Sequence, residues 1–163
     1  MRIAILLIAF ALVVSNTARA ELKPAEPTVL CSYMQDVGFV TRGWKNYYEN
    51  AFGCSSPYKE LGTGFPLANN LAYYAEGNKE TVTQLKLVLN VNNSKTANAA
   101  HEELLKASEA LSIKATGANL PQPLKDAIKS GKKATAKIGS ASMEVVRENW
   151  PSNKGYEIKV IIR

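Results

Sequence analysis

The stretch LKLVLNVNNSKTANAAHEELLKASEAL, residues 85–111, changes its hydrophobic period half-way along. Leu85, Leu87, Leu89 and Val91 alternate with Lys86, Val88 and Asn90. A period of two indicates a strand with one face on a core. Asn92-Asn93-Ser94 breaks that strand and offers a helix N-cap. Ala97, Ala100, Leu104, Ala107 and Leu111 then recur at spacings of three and four, which predicts an amphipathic helix.

Upstream, Leu67 to Ala75 reads as a strand or a short helix, and Glu76-Gly77-Asn78 is a turn signal. A hairpin around Gly77 is therefore expected. Downstream, Gly117 ends the long helix. Pro121 and Pro123 open a shorter one carrying Leu124, Ala127 and Ile128, and Gly131 closes it. Ala134, Ala136 and Ile138 alternate again, and a phase shift near Ser140 to Met143 predicts a bulge or break. Tyr156, Ile158, Val160 and Ile162 mark a last strand after the turn Pro151 to Gly155. Strands, then helices, then strands indicate an α+β fold. An antiparallel sheet from N-terminal and C-terminal hairpins would carry one long and one short helix on one face.

The N-terminus carries a different message. Met1-Arg2, the apolar run Ile3 to Val14 and the ending Ala18-Arg19-Ala20 form the three parts of a secretory signal. The run is shorter than the roughly 20 residues that span a bilayer. Cleavage is expected after Ala20. The organisation is then a signal peptide (1–20), a flexible lead-in (21–27) and a single α+β domain (28–163). Removing 20 of 163 residues leaves 143, enough for a real core. Arg2 and Arg19 leave with the signal, so 18 Lys+Arg face 14 Asp+Glu, a charge of +4. That balance favours anionic partners weakly and does not point to nucleic acid. No later segment is apolar enough to span a membrane. The expected compartment is periplasmic or extracellular.

Export gives the cysteines a meaning. Cys31 and Cys54 are an even pair in an oxidising compartment, which predicts one disulfide. It would staple the N-terminal segment. That segment is irregular and aromatic-rich: ten of the chain's 13 aromatic residues fall between Tyr33 and Tyr74. Part of it, Val40 to Phe52, has the look of a helix without a clean period.

Most catalytic chemistry lacks its residues here. His101-Glu102-Glu103-Leu104-Leu105 fails the zinc-protease pattern at the second histidine, and no metal set or cofactor motif is present. His101 is read as an ordinary surface or boundary residue on a helix flank. A serine triad would have to use Asp36 or Asp126, and no nucleophile elbow supports it. Glutamates such as Glu49, Glu60 and Glu76 leave a paired-carboxylate hydrolase open. Two features remain. Trp44, Tyr47, Tyr48 and Tyr58 are candidate anchors for a protein partner. Lys129, Lys132 and Lys133 are a candidate basic patch. The reading that results is an exported, non-enzymatic protein that binds another exported or envelope protein. A module for glycans or an anionic envelope polymer is the alternative, and a small glutamate-dependent hydrolase a further one.

Overall fold

The computed structural model describes residues 26–65 and 67–163. The expected signal and residues 21–25 of the lead-in lie outside them. The elements are α1 (Pro27–Ser32), β1 (Lys45–Tyr48), β2 (Ala51–Ser55), β3 (Lys59–Leu61), β4 (Asn69–Gly77), β5 (Val82–Val91), α2 (Ala97–Thr116), α3 (Gln122–Ser130), β6 (Ala134–Ile138), β7 (Ala141–Asn149) and β8 (Tyr156–Ile162). The strands form one antiparallel eight-stranded sheet in the order β1-β2-β4-β5-β8-β7-β6. β4 is long enough to take two partners on one edge: β2 along Tyr74 to Gly77 and β3 along Asn69 to Leu71. The α+β fold with helices on one face of the sheet is as the sequence predicts.

Alternation assigns the two faces. Leu71, Tyr73 and Ala75 of β4, Leu85, Leu87, Leu89 and Val91 of β5, and Ile158, Val160 and Ile162 of β8 point to one side, where they are buried. α2 answers with Ala97, Ala100, Leu104, Ala107 and Leu111, and α3 with Leu124, Ala127 and Ile128. Each large apolar side chain buried in this layer contributes about 1.5–3 kcal/mol. Asn93 caps the entry to α2 by accepting from the Lys95 N–H at 3.0 Å. Asn69, buried at the start of β4, fixes that entry. Its Nδ2 donates to the Asn93 carbonyl and to Thr96 Oγ1, and its Oδ1 accepts from the Asn93 N–H.

The other face carries Asn70, Tyr74, Glu76, Gln84, Lys86, Asn90, Glu157 and Lys159, none of them buried. It is held by cross-strand polar pairs: Lys86 to Glu76 at 2.8 Å, Asn90 to Asn70 at 2.9 Å, and Lys159 to Glu148 at 3.0 Å. Ala72, Val88 and Ile161 are buried on this side, flanked in register by the stems of the lysines.

Three details differ from the sequence reading. Val40 to Phe52 is not helical: it holds β1 and the start of β2, joined by the turn at Glu49 and Asn50. Both faces of β1 are exposed, so it has no apolar alternation to signal a strand. The phase shift near Ser140 is a break of one kind, a hairpin, and not a bulge. Ile138 pairs with Ala141 across Gly139-Ser140, making two strands where one was expected. His101 is buried rather than on the surface, because α3 and β8 close over the flank of α2 that carries it.

Candidate binding surfaces

The N-terminal end of the sheet is assembled around a covalent tie. Cys31 on α1 and Cys54 on β2 are bonded. The sequence between them contains β1 and the β1–β2 turn, so the bond closes a loop around that hairpin. Hydrogen bonds reinforce it: Tyr73 Oη donates to the Leu30 carbonyl at 2.7 Å, and Thr41 Oγ1 to the Cys31 carbonyl at 3.1 Å. Lys114 of α2 reaches the Asp36 carboxylate at 2.8 Å and holds its pKa below the ordinary value.

This scaffold presents tyrosines. Tyr47, Tyr48 and Tyr58 are 48%, 70% and 51% exposed. Tyr47 lies over Gly53, where a Cβ would stand 2.8 Å from its ring, so only glycine leaves room for it. Gly53 pairs with Glu76, so Tyr47 covers the polar face of the sheet. The Tyr58 and Tyr74 hydroxyls are 3.1 Å apart, on the same face. Burial is the main cause that raises the Tyr74 phenol, with the Tyr58 hydrogen bond adding to it. Cations stand against the rings: Lys45 Nζ is 5.5 Å from the centre of Tyr47, and Lys86 Nζ 5.0 Å from that of Tyr74. Tyr58 also lines a shallow depression of about 430 Å³ with Val40, Arg42 and Pro57.

Trp44 is the exception among the four aromatics singled out in the sequence. It is half-buried and packed against the core beside Cys31. Its Nε1 is buried and has no hydrogen-bond partner among the described residues. Lys129, Lys132 and Lys133 are exposed at the end of α3 and just beyond it. α3 packs on β6 and β7, across the sheet from β1, so lysines and tyrosines do not form one site. The sequence did not single out Phe65 as a candidate, yet it is 96% exposed in the loop between β3 and β4. An aromatic beside Gly64 and Pro66, outside any periodic run, was the available signal.

Of the groups considered for catalysis, His101, Glu76, Asp36 and Asp126 are engaged in contacts within the fold. A carbonyl only accepts, so His101 Nδ1 donates to the Lys129 carbonyl at 3.0 Å, and with the proton on Nδ1 the other ring nitrogen, Nε2, accepts from the Tyr156 hydroxyl at 2.9 Å. The histidine pins the end of α3 to the sheet. Glu60 stands opposite Asn70, six positions along β4 from Glu76. At about 3.3 Å per residue that is roughly 20 Å, against the roughly 5–10 Å between paired catalytic carboxylates. Among the described residues no cluster of His, Cys, Asp or Glu is placed to hold a metal ion. Among them, too, no helix is long and apolar enough to cross a membrane.

No curated protein and no solved structure matches this chain. A family model does match, over residues 19–154, which takes in every element from α1 through β7. The chain belongs to that family, a family of unknown function (DUF6030).

Proposed function

We propose that this protein is exported and works by binding another exported or envelope protein, without catalysis, through the tyrosine-bearing end of its sheet. The observation that carries the reading is the set Tyr47, Tyr48 and Tyr58, about half to two-thirds exposed on a disulfide-tied hairpin and its neighbouring loop. Tyrosine buries a large area on binding while its phenol keeps a polar contact. A ring already held against a strand loses little freedom when a partner covers it. The disulfide supports the export part of the reading, because such bonds persist in oxidising compartments.

A photo-reactive residue at position 48, with a second at position 132 as control, tests this in the native exported fraction. One discrete adduct from position 48 is expected, lost when Tyr47 and Tyr58 are also changed to Ala. Adducts from position 132 alone would move the site to the lysines. N-terminal sequencing tests export directly: the isolated protein should begin at Glu21, and a product beginning at Met1 would refute a cleaved signal.

A further inference from the structure

At the far end of the sheet, the turn between β7 and β8 and the segment from the end of β5 to Ser94, just before α2, border a depression of about 240 Å³. We infer that it binds a phosphate group. Its lining includes Arg147, Lys154, Ser94, Asn149, Asn153 and Tyr156, and no carboxylate. Two cations, two amides and the Ser94 hydroxyl make it rich in donors and without a negative charge of its own, the Tyr156 hydroxyl being engaged with His101.

Arg147 is the centre of the site. Its guanidinium carbon lies 3.6 Å from the centre of the Tyr156 ring. Nη1 donates to the Gly131 carbonyl at 3.1 Å and Nε to Asn149 Oδ1 at 3.0 Å. The fork is thus fixed in orientation before any ligand arrives, which removes most of the ordering cost of using it. Lys86, Lys106, Lys114, Lys125, Lys159 and Arg163 each have a carboxylate within 4.0 Å. Among the described residues Arg147 has none. Its surroundings are built to admit it. A Cβ on Gly131 would stand 2.8 Å from Nη1 and 3.1 Å from His101 Cε1, at a backbone φ of +61°, so a larger residue there would be strained and would push the guanidinium aside. His101 in turn holds the Tyr156 hydroxyl, which keeps the ring beneath the guanidinium.

The charge around this centre has one sign. Lys154 is exposed on the turn, and Lys129, Lys132 and Lys133 are exposed at the end of α3 whose carbonyls His101 and Arg147 hold. Glu148 and Glu157 are engaged with Lys159 on the opposite face. Donors from three segments favour a tetrahedral group over a planar one. A carboxylate would use the arginine fork and leave Lys154 and Ser94 unmet, whereas a phosphate offers oxygens to each.

Arg147 also serves α3 by meeting one of its terminal carbonyls, and a purely structural role is the competing account. A titration followed by amide chemical shifts separates them, using the purified natural protein with inorganic phosphate, methyl phosphate, dimethyl phosphate and acetate. Saturable shifts at Ser94, Asn153 and Gly155 are expected, with a Kd on the order of 1 mM for an open site, and no comparable response to acetate. Binding of inorganic and methyl phosphate alone identifies a soluble phosphate as the source. Binding of dimethyl phosphate identifies a phosphodiester polymer or headgroup. Lys154→Glu, on an exposed turn, should weaken binding about tenfold at unchanged thermal midpoint, and Arg147→Lys should weaken it as well. No saturable shift with any phosphate, an equal response to acetate, or unaltered affinity in Lys154→Glu overturns the proposal.

Discussion

The two ends of this sheet are held together by different means. At the β1–β2–β3 end the strands are short and β1 and β3 bury no residue; Leu30, Met34 and Phe39 beside them are buried, and a disulfide and hydrogen bonds tie the hairpin to that packing. At the β6–β7–β8 end, α3 packs Leu124, Ala127 and Ile128 onto the strands, and the core continues through Met143, Val145, Ile158 and Val160. Where apolar burial is plentiful, aromatics are few and mostly covered. Where the strands themselves bury little, a covalent bond supplements the packing and Tyr47, Tyr48 and Tyr58 are left outside. A region tied by one bond can display apolar surface that a region tied by packing must consume.

The largest effect should come from the layer both ends share. Leu104 is fully buried between α2 and the sheet, and Leu104→Ala should cost about 3 kcal/mol in denaturant unfolding. One transition for the whole chain is expected, and two transitions would show that the ends are separate units. Replacing Cys31 and Cys54 together by Ala should cost about 2–5 kcal/mol. Hydrogen exchange should then quicken in β1 and β2 while β7 and β8 keep their protection. Uniform acceleration would break the contrast drawn here.

Tyr73→Phe removes the hydroxyl that bonds the Leu30 carbonyl, and should cost about 1 kcal/mol at neutral pH. It should also flatten the alkaline limb of stability. Burial raises the Tyr73 phenol, so the folded state keeps a proton that the unfolded chain gives up. That stabilisation is complete below about pH 10 and falls as pH rises beyond it. An unchanged alkaline limb in the variant would mean another phenol carries it. The smallest effect belongs to Tyr48→Ala, expected within about 0.5 kcal/mol of the parent in thermal unfolding. A larger loss would place Tyr48 in the fold rather than on a binding surface.

The same contrast explains what could be read from the chain. β5 and β8 were legible because one face of each meets the core and alternation records that. α2 was legible because its stripe of Ala and Leu, from Ala97 to Leu111, repeats over about four turns. β1 faces solvent on both sides, and its turn uses Glu49 at a positive φ of 44° instead of a glycine, so neither periodicity nor turn chemistry marked it. The cysteine pairing followed from counting. The burial of His101 did not, because it depends on the end of α3 and on Tyr156, which is 55 positions away. Of the site residues, Tyr47, Tyr48 and Tyr58 were visible as types. That Trp44 turns inward while they turn out is a property of the packing beside Cys31, which no spacing encodes.

The strand order has a consequence for timing. β8 comes last among the strands in sequence yet lies inside the sheet, bonded to β5 on one side and β7 on the other. Before residues 156–162 are available, β5 has an open edge, and β6 and β7 have nothing to join. A chain emerging from its N-terminus, from a ribosome or through a translocation channel, therefore reaches the end of its strands with the sheet still in two pieces. Closing it brings together segments far apart in sequence, the slow kind of contact in folding. Until then the open edge of β5 can pair with any other strand that meets it.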